Sequence, residues 1–493
     1  MDKLLKLLNA ASWNEVLAQT DVWATRFMLI AVILLVGGIA IQTPTESDTL
    51  RAGLAAQSQQ EYWRAESFFQ DAAILAPDDF RPPLDLARLH LLEHVDDLAQ
   101  SEVETARNLD STNADIWLTL GDVASDQGHQ QDAEHAWLQA THLEPAAAAM
   151  QARERLGLLY EGQGRLPQAE TQFAALPASD TLAQYHLGAL RLERGDRAGA
   201  RQALEAALSQ TNDAGQRAAA QRLLAALNQW NGSAHSEQLL GYAYVQNNLP
   251  TLAKAPLQQA IALAPKDANA RAYLGWVYLS LGSASQALAE ERQALTLEPG
   301  NSFANYILSL LDLDAGHYSS AINDLGRALT SDPQNPVLWA TRAEVAEQLG
   351  DLSFAETALR RAVDDAAGDP QFAVLLATFY ADYQLGLQNG VALSAAQEAV
   401  ALAPTNGLAF DALGRIQQAM NNFSAALGTL SEAVSLAPTN ATFHLHLATI
   451  QAILGYIRSA ALNLRKATVL DHLNGPVARQ AQQLLQDLPP SSI

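Results

Sequence analysis

One period governs this chain. A proline, or a polar residue in its place, returns every 34 residues at Pro77, Ser111 and Pro145, at Pro265, Pro299 and Pro333, and again at Pro404, Pro438 and His472. A fixed period of about 20 to 50 residues means that each repeat is one supersecondary unit that cannot bury its apolar face alone, so stacked neighbours must complete the core. The eighth position of each unit is small throughout: Gly53, Ala87, Gly121, Gly157, Gly188, Gly241, Gly275, Ser309, Ala343, Ala377, Gly414 and Ala448. The twentieth is alanine from Ala65 to Ala460, with Ala392 displaced by a short insertion, and alanine recurs near the twenty-seventh from Ala72 to Ala467, with Leu176 the departure. Two helices cross closely only where no large side chain holds the backbones apart. Within one unit, therefore, Gly275 and Ala287 are expected to face each other. Between the paired helices Gly128, Gly164, Gly195, Gly282, Gly316, Gly350 and Gly455 stand where a helix must end, and each proline stops the second helix.

In this register the sequence resembles the tetratricopeptide repeat family, and its membrane-anchored bacterial members in particular, over residues 46–474. The resemblance implies an all-α, right-handed α-solenoid of about 12 helix-turn-helix units, each an antiparallel helix pair, here preceded by one N-terminal transmembrane helix. The units begin near Glu46, Phe80, Ala114, Met150, Thr181, Ala234, Ala268, Ser302, Pro336, Pro370, Gly407 and Ala441. The fourth is short, ending at Pro177, and residues 214–232 read as one helix outside the register. This divides the chain into a juxtamembrane segment (1–21), a transmembrane helix (22–41), a first sub-array (46–214), a linking helix (215–233), a second sub-array (234–474), and a cap helix with its tail (475–493). An unpaired helix is expected to alter the path of the stack where it enters.

Residues 22–41, VWATRFMLIAVILLVGGIAI, are apolar apart from Thr25 and Arg26. As a helix they would span roughly 30 Å, the thickness of a bilayer core. Trp23 and Arg26 stand near the start, where an indole lies at the headgroups and a guanidinium snorkels. A cleaved signal peptide ending near Gly38, Ile39 and Ala40 is the competing reading, against which stands the long region ahead of the apolar run. Leu4, Leu5, Leu7 and Leu8 with Lys3 and Lys6 read as a short surface-lying or solvated helix, and Ser12 with Glu15 as a capping box. Lys3, Lys6 and Arg26 precede the span and only Arg51 closely follows it, so the N-terminus is expected in the cytoplasm and the repeats outside it.

The remaining composition serves mainly to exclude. With 53 acidic against 30 basic side chains the formal net charge is -23, which repels phosphate backbones and argues against nucleic acid as a partner. The chain has no cysteine, hence no disulfide, no thiolate nucleophile and no Cys-ligated metal. His90, Glu93 and His94 form the literal H-x-x-E-H string of inverted zinc peptidases. The register assigns His90 to the eleventh position, a core slot, and His94 to the turn, so the two histidines are structural. His444 and His446 project about 200° apart on one helix and make no ligand pair. Phosphate-loop and nucleophile-elbow motifs are missing. No catalytic, cofactor or metal site, and no small-molecule substrate, is expected.

In this family the binding face is built mainly from the second, fifth, ninth, twelfth and thirteenth positions of each first helix. Some members clamp a carboxylate with Lys, Arg and Asn; the fifth positions here, from Leu50 to Leu445, hold none of these, and no such clamp is expected. Instead the face turns apolar in the middle of the array, at Tyr242, Trp276, Leu279, Phe303, Tyr306, Leu310 and Leu313. These residues either bind a partner or pack internally. The expected function is a membrane-anchored scaffold for other proteins, as a subunit or assembly factor of a membrane or envelope complex. The alternative is an extracytoplasmic binder of extended peptide or polysaccharide.

Overall fold

The structure, a computed structural model, describes residues 45–59, 62–366, 368–471 and 475–489. Among them are 26 α-helices and no strand. Helices pair in sequence as the period requires, from Glu46–Ser58 with Tyr62–Leu75 to Ala441–Ile453 with Ile457–Leu470. Two stand outside the pairing, Ala214–Gln229 and the closing Pro476–Asp487. The expected transmembrane helix at 22–41 and the segment before it lie outside the described residues. No described helix is long and apolar enough to cross a membrane.

The chain divides into two compact units, one ending at Pro82 and the other beginning at Pro83. In the first, the opening hairpin buries Phe69 beneath Gly53, and Arg81 reaches back to Glu46 at 2.9 Å. The second unit holds the later hairpins.

Local chemistry sets the helix ends. Nine first helices start at an Asn, Asp or Ser whose side chain accepts a backbone N–H of the first turn: Asn113, Asp180, Ser233, Asp267, Asn301, Asn335, Asp369, Asn406 and Asn440. Such a cap stabilises a helix by about 1 kcal/mol. The fifteenth position takes a left-handed conformation in every unit from the second to the twelfth. Glycine fills it in seven units, and His94, Asn248, Gln384 and Asn421 adopt the same conformation at φ 52° to 61° in the other four.

In the seven hairpins whose eighth residue is glycine, that residue meets the twenty-fourth. A methyl carbon added at Gly157 would lie 2.6 Å from the Phe173 ring, and one at Gly241 would lie 2.5 Å from Leu257. Gly121 likewise lies under Trp137, Gly188 under Leu204 and Gly414 under Leu430. At Gly275, expected from the sequence to face Ala287, Ala287 is fully buried, and the nearest atoms an added carbon would meet belong to Glu291. Side chains on a helix lean toward its N-terminus, so the twenty-fourth residue covers the level of the twentieth.

The inserted helix Ala214–Gln229 packs on both Arg197–Gln210 and Ala234–Gln246. Its buried Ala220, Leu223, Ala226 and Leu227 belong to one apolar cluster that runs from Ala114 to Ala287. The insertion of the tenth unit appears as a longer connection, residues 384–390, between Pro370–Tyr383 and Val391–Leu402.

Glu291 is the exception to an apolar slot. It is wholly buried, neither carboxylate oxygen has a hydrogen-bond partner, and burial, with Glu290 adding, pushes its carboxyl up to about 10. The folded chain therefore holds a proton that the unfolded chain releases at an ordinary carboxylate value. The resulting penalty is absent at acid pH, grows as pH rises through neutrality, and is complete only near pH 10. At pH 7 it is about 3 kcal/mol, from roughly 1.4 kcal/mol per unit. Glu291→Leu should raise the unfolding midpoint at neutral pH and flatten the loss of stability between mildly acid and alkaline buffers. Denaturant melts at several pH values check this, and an unchanged slope would show that Glu291 is solvated.

Candidate protein-binding face

The first helices of the sixth, seventh and eighth units are Ala234–Gln246, Ala268–Ser280 and Ser302–Asp314. Four aromatic rings run across them in one row. Tyr242 stacks on Tyr273 with centroids 4.6 Å apart, Tyr273 meets Phe303 edge-on at 5.2 Å, and Phe303 lies tilted to Tyr306 at 6.4 Å. All four are half-buried. Burial first, then the neighbouring Tyr242 and Asp267, push the Tyr273 phenol up to about 12. The Tyr306 phenol is also raised by burial, although the Thr341 hydroxyl beside it works the other way.

The residues named from the sequence divide between this row and the cores beneath. Tyr242, Phe303 and Tyr306 are in the row. Trp276 and Leu279, also half-buried, lean on the long apolar cluster. Phe303 rests on Ala272, Ala294 and Ala304. Tyr306 and Leu313 pack beside Ala321, Leu325 and Leu338, and Leu310 is half-buried. Tyr273 was missed. It occupies the sixth position of its unit, outside the second, fifth, ninth, twelfth and thirteenth positions that mainly build the face.

His90 is buried with Nδ1 2.7 Å from Glu102, while His94 faces Asp126 at 3.2 Å. Each ring has its own carboxylate, from a different helix. His444 is buried between the Asn463 side chain at 2.7 Å and the Pro438 carbonyl at 2.8 Å, and burial holds its pKa below the usual value. His446 lies 2.7 Å from Asp411. Among the described residues no group of three or more possible ligands is placed to hold a metal. A cleft of about 710 Å³ opens where the inserted helix enters, lined among others by Tyr185, His186, Gln216 and Asn247. There His186 Nδ1 is 2.9 Å from Glu161, both being buried.

Repeated antiparallel hairpins with a small residue at every crossing define an α-helical repeat protein. Residues 118–183 and 239–302 match one family profile described as tetratricopeptide repeat, and residues 312–378 match a second of the same description. Over these three segments the chain carries tetratricopeptide repeats. Such repeats are in general non-enzymatic and serve as scaffolds for protein–protein interaction. No curated protein matches the chain. Among solved structures it is similar to the anaphase-promoting complex APC/C hetero-tetramer Cut9-Hcn1 (15% identity, 92% of this chain and 98% of that one, TM-score 0.42). It is also similar to yeast Tom70 (15%, 90% and 95%, 0.37) and to Pseudomonas aeruginosa PilF (19%, 45% and 97%, 0.39).

The row predicts a measurable coupling. Aromatic pairs in contact are worth about 0.5 to 1.5 kcal/mol beyond the area they bury. A Tyr273→Ala, Phe303→Ala double-mutant cycle in chemical denaturation should return an interaction of that size. Strictly additive effects would mean that the rings do not touch.

Proposed function

We propose that this chain is a single-span, membrane-anchored scaffold that holds other proteins, as a subunit or assembly factor of a membrane or envelope complex. Residues 22–41 are its anchor, the N-terminus is cytoplasmic, and the repeats stand outside the cytoplasm. The observation that carries the binding part is the half-buried row Tyr242, Tyr273, Phe303 and Tyr306. Aromatic side chains held by their neighbours lose little freedom on binding and form the usual anchors of protein interfaces. Polysaccharide recognition is less well supported, because these rings use their surfaces on one another and are not set apart as separate platforms. The anchor and its orientation rest on the apolar run and on Lys3, Lys6 and Arg26 ahead of it.

Two experiments test the two halves. Tyr273→Ala with Tyr306→Ala should weaken recovery of cross-linked membrane partners by about 2 kcal/mol or more in affinity, with helicity and membrane insertion retained. A folded double mutant that recovers the same partners would move the binding surface elsewhere. Protease added to intact cells or right-side-out vesicles should reach the repeats, and protection until the membrane is opened would reverse the orientation.

A further inference from the structure

The row does not end at Tyr306. Its ring packs on the cluster that contains Leu338 of the next first helix, Pro336–Gln348. That helix and Pro370–Tyr383 border a cleft of about 430 Å³. Apolar lining comes from Val337, Phe372, Leu375 and Phe379. Val337 and Leu375 are 41% and 47% exposed, which leaves apolar surface open to a partner. Glu344, Glu347 and Asp382 also line the cleft. Asp382 is met by Arg415 at 2.7 Å, and Glu347 accepts the Tyr383 hydroxyl at 3.2 Å. Glu344 is exposed. Burial first, then Asp382 and Glu344, raise the Glu347 carboxyl above its usual range, while the Tyr383 hydroxyl works against them.

We propose that the first-helix face from Tyr242 to Asp382 takes an extended polypeptide segment of a partner, one that carries aromatic or aliphatic side chains followed by lysine or arginine. The inference rests on reading the aromatic row as the partner surface and names the chemistry of what that surface accepts. The row of rings favours an apolar stretch at one end, and Val337 and Leu375 beside the carboxylates accept the aliphatic stem of the basic side chain. At the other end Glu344 and Glu347, three residues apart on one helix, both line the cleft, Glu344 exposed and Glu347 half-buried, so a cation placed between them relieves their repulsion as well as gaining its own attraction. The separation follows from geometry. Neighbouring helices pack about 8 to 10 Å apart and an extended chain advances about 3.3 Å per residue, so one unit corresponds to about three residues. The cation therefore falls roughly three to six residues from the last apolar anchor.

Three series of short fluorescent synthetic peptides, measured against the full chain in detergent, test this: aromatic with basic, aromatic with acidic, and serine with basic. The aromatic–basic series should bind at least about tenfold tighter than either other series and weaken as salt rises. Glu344→Gln with Glu347→Gln should reduce it to the level of the aromatic–acidic series with the helical spectrum unchanged. If the double variant loses helicity, the salt titration of the unmodified chain decides, and a salt-independent affinity overturns the proposal. Equal binding of the aromatic–basic and aromatic–acidic series overturns the charge assignment and leaves the aromatic surface standing. Equal binding of the serine–basic and aromatic–basic series overturns the joint requirement. Absence of binding in all three, or binding that Tyr273→Ala with Tyr306→Ala leaves intact, overturns both readings.

Discussion

Seven of the hairpins close through one contact, that of a glycine at the eighth position with the side chain at the twenty-fourth. Phe173 over Gly157, Leu257 over Gly241 and Leu430 over Gly414 are the same contact built from different residues. Because the neighbour can be Phe, Trp or Leu, the constraint falls on the small partner, and this is why the period shows in Gly and Ala and not in the large residues. Once the crossing is fixed, the other regularities are consequences. The turn must reverse the chain within a few residues, which requires the left-handed fifteenth position, and each following first helix then needs its own cap.

The aromatic row is a product of that stacking and belongs to no single helix. Its members come from the ninth position of the sixth unit, the sixth of the seventh unit, and the second and fifth of the eighth. Read in order the row runs diagonally, falling by about one turn from each helix to the next, so side chains far apart in sequence touch through their rings. The seventh unit supplies Tyr273, and its own crossing is the one that holds Glu291. A protonated, unpartnered carboxyl where the neighbouring units place leucine weakens the hairpin that carries the centre of the row. Any partner that binds only the closed form of this hairpin offsets that weakness by mass action.

How far the sequence could be read follows from which side chains report their position. Small residues, turn glycines and prolines report directly, so the hairpins, the inserted helix at residues 214–229 and the structural roles of His90 and His94 could all be read in advance. The partner of each small residue could not. Ala287 has the right spacing for Gly275, and the lean of side chains along a helix makes Glu291 the nearest neighbour of the glycine. The row was half legible for a similar reason. Tyr242, Phe303 and Tyr306 stand at positions expected to form the face, whereas Tyr273 enters it only through the offset between successive units, a property of the stack that no single repeat displays.

Within this face, attraction and direction have different sources. Stacked and edge-on rings attract apolar groups with little regard to which residue supplies them or which way its chain runs. Charge is not so tolerant: Glu344 and Glu347 lie beyond one end of the row, and near its other end Asp267 is already engaged as a helix cap by the backbone N–H of Ala270 and as acceptor for Gln238 at 3.1 Å. A segment laid across the face in reverse would bring its cation to a carboxylate whose hydrogen bonds are already made, and would leave the repulsion at the far end unrelieved. The asymmetry of the carboxylates thus gives a polarity to a surface whose rings alone would have none.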